Sequence, residues 1–177
     1  PYSAVLKELS GNKDADAFNL GGPALVSLIN AAQILDANDF EVRYFGSAGN
    51  DKSADLIFQM VSKTPLNISG YKKIDNRETP FTHVFSEPEY DNNMGERTFI
   101  NNIGSAWDYS PRFLDKDFFM ADIVCFGGTA LVPQIHDHLT ELLKKAKENN
   151  CLTVVNTVFD FRNEKNNPDK PWPLGNT

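Results

Sequence analysis

Four short segments hold the residue types that could contact a hydroxyl-rich or anionic ligand: Gly21-Gly22, Gly46-Ser47-Ala48-Gly49-Asn50-Asp51, Gly127-Gly128-Thr129 and Asp160-Phe161-Arg162. Gly21-Gly22 stands directly before Pro23 at a helix entrance. There the backbone can approach a ligand closely and offer N–H groups at the positive end of the helix dipole, or it can simply turn tightly. Gly127-Gly128-Thr129 follows an apolar run and leaves the same two alternatives open. Ligands of open α/β sheets gather outside the C-terminal ends of the strands, so both loops gain weight if their strands are neighbours. The segment from Gly46 to Asp51 lacks the Lys-Ser/Thr pair of a phosphate-binding P-loop and the spacing of a dinucleotide fingerprint. It reads as a strand-to-helix loop in which Asp51 caps the next helix. Asp160 and Arg162 place an acid and a guanidinium beyond an apolar run. Arg162 can grip a carboxylate or a set of hydroxyls, or the two can pair with each other on the surface; their place at a strand's end favours binding. His136 and His138, two apart, point to different faces of a helix and have no evident third ligand, so they read as a solvated face and no metal site is assigned. His83, in an expected strand, reads as an exposed or satisfied histidine, and no Ser-His-Asp or Cys-His arrangement emerges.

The elements that must position these residues follow from periodicity. Leu25, Leu28, Ile29, Ala32 and Leu35 have helical spacing, with Pro23 in the first turn, where its missing N–H has no partner to lose. Glu41 to Phe45 alternates as a short strand, and Ala54, Ile57, Phe58 and Val61 mark a helix that ends before Pro65. From Leu66 to Ala106 no helical period survives, and β-branched and aromatic residues are frequent. Antiparallel strands are expected there near Gly70 to Ile74, Pro80 to Ser86 and Arg97 to Ile103, with a turn from Pro88 to Gly95. Ile123 to Phe126 and Leu152 to Val155 read as parallel strands covered on both faces, separated by one helix from about Pro133 to Asn149. Ser10 to Asp16 and Asn163 to Thr177 read as loop. This order predicts a doubly wound α/β sheet interrupted by a small antiparallel insert.

Composition narrows the function classes. The 177 residues suit one domain, and a formal net charge of -7 without a cluster of Lys and Arg excludes a phosphate backbone as the expected partner. No apolar run reaches the ~20 residues that span a bilayer, which predicts no membrane partner and a cytoplasmic protein. Cys125 and Cys151 fall in or beside strand runs and are expected to be buried thiols. The Asn67-Ile68-Ser69 sequon reads as a chance match.

Taken together, Gly21-Gly22, the segment Tyr44 to Asp51, the strand-rich insert with Gly95-Glu96-Arg97-Thr98-Phe99, Ala121-Asp122-Ile123-Val124 and Val155 to Arg162 resemble, in order and spacing, the ribokinase-like (PfkB-type) carbohydrate kinases. The resemblance implies a three-layer αβα fold with a mostly parallel sheet and an inserted antiparallel β lid, here about residues 66–106, within a partial kinase domain over residues 1–177. It implies transfer of the γ-phosphate of ATP to a hydroxyl of a sugar, sugar acid or nucleoside. It places substrate contacts at Gly21 and Gly22, lid contacts at Phe99, Asn101 and Asn102, and the pair beyond the strand at Asp160 and Arg162. ATP and Mg2+ are the implied cofactors, with the ATP site mostly outside this chain, and a homodimer through the lid is the implied assembly. Two positions depart from the pattern: Val26 replaces a frequent Asn, which removes a polar substrate contact, and Ala54 replaces a frequent Gly.

The family's first strand, with its substrate-binding Asp, and the downstream Gly-Ala-Gly-Asp type motif, whose Asp deprotonates the acceptor hydroxyl, have no counterpart in these residues. The chain therefore reads as a fragment with no catalytic residue of its own, inactive alone and with exposed sheet edges. Two other readings stand beside the kinase reading. The same fold could serve as a noncatalytic sugar-binding or dimerising module, or the chain could be an unrelated α/β protein whose glycines only make turns in a sheet that lacks no strand.

Overall fold

The computed structural model describes residues 2–156 and 158–170. The chain divides into two units: Pro1–Leu20 with Phe81–Asn102, and Gly21–Pro80 with Ile103–Thr177. In the larger unit α2 (Pro23–Ile34) enters from Gly22, whose φ of 90 sets the turn, and Pro23 occupies the first position of the helix. Strand β1 (Arg43–Gly49) and β2 (Asn67–Ile74) pair in parallel through the crossover helix α3 (Lys52–Val61). Strands β5 (Ile123–Gly127) and β6 (Leu152–Asn156) form a second parallel pair through α4 (Pro133–Asp137) and α5 (Leu139–Glu148). Short 3₁₀ turns over Gly104–Trp107, Pro111–Phe113 and Lys116–Phe119 fill the stretch before β5, and α6 (Phe161–Asn166) follows β6. In the smaller unit, α1 (Tyr2–Ser10) accompanies an antiparallel hairpin of β3 (Phe81–Glu87) and β4 (Glu96–Asn102). The fold is thus mixed α/β with parallel strand pairs and one antiparallel pair.

Packing explains the larger unit. Ala54 and Val61 of α3 are fully buried, and Ala54 packs with Ala48 and Tyr71 in a cluster that also receives Ile57 and Phe58 from the same helix face. Phe58 stacks on Tyr71 with ring centroids 4.8 Å apart. The second cluster joins Val124 and Phe126 of β5 to Leu139, Leu142 and Ala146 of α5, with Tyr109, Leu114 and Phe119 from the 3₁₀ stretch. Leu139, Leu142 and Ala146 are spaced to lie on one helix face. Lys145 lies over the Phe119 ring, 4.2 Å from its centroid, so its stem covers the edge of that cluster.

Several sequence expectations are corrected. The segment Gly46 to Gly49 is strand, not loop: β1 continues to Gly49, where a Cβ would lie 2.3 Å from the Arg77 carbonyl oxygen, so glycine there serves the close approach of the segment that follows β2. β2 starts at Asn67 and belongs to the parallel pair rather than to an antiparallel insert, because α3 returns the chain alongside β1. The turn before β4 carries Asp91, Asn92 and Asn93 in left-handed conformations, which these residue types tolerate. The helix expected from Pro133 to Asn149 breaks at His138, whose Nδ1 donates to the Gln134 carbonyl at 2.8 Å while its own N–H turns to Ile135. The side chain takes the carbonyl that a continuous helix would give to the His138 backbone. Residues 163–166 are helical where loop was expected, 167–170 carry no regular element, and 171–177 lie outside the described residues.

β6 is not covered on both faces. Leu152 is 63% exposed, and Val154 and Val155 are exposed with it, since β5 is its one strand neighbour among the described residues. Cys151 is buried as expected, its thiol donating to the Phe119 carbonyl, but Cys125 alternates with buried Val124 and Phe126 and faces outward.

Candidate functional site

The parallel register of β5 and β6 sets Gly127 opposite Asn156, so both strands end at one sheet edge. The chain beyond β5 meets the entrance of α2 there. A Cβ on Gly127 would lie 3.0 Å from that of Ala24, and one on Gly128 would lie 2.8 Å from Cγ of Pro23. Gly128 also has φ of 64, so only glycine meets both demands without strain. The Gly127-Gly128 turn is therefore packed against the first turn of α2, the helix that Gly22 enters. Gly22 caps α2 without a side-chain hydrogen bond, and nothing lies within 4 Å of the space a Cβ would take at Gly21.

Beyond the turns a polar cluster gathers residues from three elements. Thr129, after Gly128, is 3.0 Å from Nδ1 of His136 on α4, and Nε2 of the same ring is 2.8 Å from Oδ2 of Asp160, at the entrance of α6. That second contact is close but oblique. Thr129 and Asp160 are 6% and 4% exposed and the His136 side chain 11%. Asp160 caps α6, accepting from the Asn163 backbone N–H at 3.1 Å and from the Asn163 side-chain amide. Burial alone would raise the Asp160 carboxyl; the two Asn163 hydrogen bonds and then His136 outweigh it and hold the group below the usual carboxylate range. Arg162 donates through both terminal nitrogens to Asp137, the residue after His136, which raises its pKa. Its Nε is buried without a hydrogen-bond partner among the described residues. Two adjacent residues of α4 thus hold two residues at the start of α6.

Four of the seven sequence-derived site residues, Gly21, Gly22, Asp160 and Arg162, lie in the larger unit, and Phe99, Asn101 and Asn102 lie on β4 of the smaller one. On β4 the three do not share a face: Phe99 and Asn101 alternate with Asn102. Asn101 accepts from the Thr82 hydroxyl at 2.6 Å, and Phe99 pairs across the hairpin with Val84 and carries the Arg97 guanidinium over its ring, 5.7 Å from the centroid. Asp160 and Arg162 do not pair as a surface ion pair; each has a partner on α4. His136, expected on a solvated face, is instead the centre of the cluster, and Thr129, His136 and Asp160 form the hydroxyl–imidazole–carboxylate line that the sequence did not reveal. The only sequence signals were Thr129 after the second di-glycine and the interval of seven residues to His136, which bridges a 3₁₀ turn as well as helix.

Among the described residues no group of three or more His, Cys, Asp or Glu could hold a metal ion, and no helix is long and apolar enough to cross a membrane.

No curated protein sequence matches the chain significantly. Solved structures share its fold. Adenosine kinase from Sinorhizobium meliloti superposes with a TM-score of 0.70 at 15% identity, covering 92% of this chain and 48% of that one. Ribokinase from Giardia lamblia gives 0.60 at 19%, covering 84% and 48%, and fructokinase with bound ATP from Xylella fastidiosa gives 0.62 at 17%, covering 88% and 44%. The chain thus spans about half the length of these structures. A family model described as pfkB family carbohydrate kinase matches residues 2–168, and with it the turns, strand pairs and hairpin have one explanation: the chain belongs to the pfkB family of carbohydrate kinases.

Proposed function

We propose that this chain supplies the acceptor-binding side of an enzyme that transfers the γ-phosphoryl group of ATP to a hydroxyl of a sugar, sugar acid or nucleoside. The observation that carries the reading is the packing of the Gly127-Gly128 turn, at the end of β5, against the start of α2 that Gly22 enters, with Asp160 and Arg162 beyond the end of the neighbouring strand. The fructokinase with bound ATP and the adenosine kinase among the structural relatives support the reaction class, and the match to the carbohydrate kinase family supports a polyol acceptor.

In this reading Gly21 and Gly22 bring backbone close to acceptor hydroxyls, Asp160 accepts from one of them, and Arg162 donates through the Nε that Asp137 does not occupy. Phe99, Asn101 and Asn102 belong to a hairpin that serves as the cover of the acceptor and as the contact of a homodimer. The acceptor oxygen forms a bond to γ-phosphorus as the bond from that phosphorus to the β-bridging oxygen breaks, and the acceptor proton passes to a base. No residue of this chain is assigned as that base, so the chain alone is expected to turn over no ATP, with ATP and Mg2+ bound mainly by residues outside it. The cytoplasm, where ATP is available, is the proposed location.

A thermal-shift screen of the chain against sugars, sugar acids and nucleosides, each with and without Mg-ATP, tests the assignment. A ligand that binds the native state raises its stability. A rise with one acceptor class and none with Mg-ATP alone is the expected result; a rise with Mg-ATP alone would contradict the division of labour.

A further inference from the structure

The cluster around His136 carries an inference that rests on the acceptor-binding reading and goes beyond it. Asp160 caps, and Arg162 stands on, a short helix after β6, a strand with one neighbour among the described residues and an exposed surface. Asn163 holds Asp160 within its own helix, and α4 supplies the contacts that reach Asp160 and Arg162 from another element. His136 reaches Thr129 on one side and Asp160 on the other, and Asp137 takes Arg162. The imidazole therefore ties the start of α6 to the residue next to Gly128, the glycine packed on Pro23. We propose that His136 is a positioning residue, which sets the acceptor affinity of the site by holding Asp160 against the Gly127-Gly128-Thr129 turn.

The ring geometry separates two ways of doing this. A glutamine at 136 can place its amide near the position of Nε2 and reach Asp160, whereas an asparagine reaches only as far as Nδ1 and serves Thr129 alone. In the full-length natural protein, with an acceptor from the screen, His136→Ala is expected to raise the acceptor KM roughly tenfold while the ATP KM stays within about twofold. His136→Gln should recover most of the loss and His136→Asn should not. Equal effects on both KM values, or rescue by asparagine alone, would overturn the proposal.

If the wild-type protein phosphorylates no sugar, sugar acid or nucleoside, the acceptor-kinase reading fails by itself, and hydrogen exchange still tests the positioning. Protection of the Asn163 amide, which Asp160 accepts, should fall in His136→Ala and hold in His136→Gln, with β1 and β2 unchanged. Unchanged protection in His136→Ala would overturn the proposal.

Discussion

The Asp51 carboxylate shows how much one residue can organise. Its Oδ1 accepts from the Ala54 N–H at 2.8 Å and the Thr79 hydroxyl at 2.6 Å, and its Oδ2 from the Thr79 N–H at 2.7 Å. One cap thus also fixes the end of the first of the two stretches that make up the larger unit, Gly21–Pro80. Burial pushes its pKa up, but the Thr79 and Ala54 hydrogen bonds prevail and hold it below the usual carboxylate range. A depressed folded value means that the stabilisation is complete above the unfolded carboxylate range and is lost as pH falls through the folded value. Asp51→Asn should cost about 1–2 kcal/mol in urea unfolding at pH 7 and flatten the loss of stability below about pH 4. An unchanged acid limb would show that Asp51 is not its source. The di-glycines give a contrast at the same scale. Gly128→Ala must accept a left-handed backbone and a contact with Pro23, and should lose about 1–2 kcal/mol or more. Gly21→Ala meets nothing and should stay within about 0.5 kcal/mol, measured in the same urea titrations.

Elements were legible where a period and a stop signal coincided. α2 and α3 had Pro23 and Asp51 at their starts, and β3 and β4 were bounded by Pro80, Pro88 and Gly95. The end of β1 was hidden because Gly46-Ser47-Ala48-Gly49 has loop composition; the strand is held by partners in β2 and by close approach to Arg77, neither of which has a local signature. Gly49→Ala should therefore lower stability by about 1–3 kcal/mol in thermal or urea unfolding, where a surface loop would tolerate it. The break at His138 was hidden for a similar reason: a side chain competing for one carbonyl leaves the apolar period intact. His136 lay on that misread helix. A straight helix puts the imidazole on a wet face, and the Thr129–His136–Asp160 line depends on the ends of β5 and β6 meeting in space, which has no local signature.

At the scale of the whole molecule, the parallel pairs β1–β2 and β5–β6 are not joined strand to strand among the described residues, and Ile123, Leu152, Val154 and Val155 present apolar side chains outward. The chain alone is accordingly expected to bind a hydrophobic dye such as ANS, with Leu152→Lys and Val154→Lys reducing the signal; no dye binding would mean those side chains are covered in solution. The overall class and the family were readable because the order of the glycine turns, hairpin and strands survives at low identity. The acceptor itself was not, since its choice depends on a few side chains. The central claim, that the di-glycine edge receives the phosphoryl acceptor, is tested most directly by acceptor-dependent ATP consumption in the full-length natural protein and its Gly21→Ala variant. The account predicts turnover with a sugar, sugar acid or nucleoside, and in the variant an unchanged Tm with an acceptor KM raised roughly tenfold or more, because the added methyl enters open space where the acceptor is proposed to sit. Full activity and an unchanged acceptor KM in Gly21→Ala would contradict it.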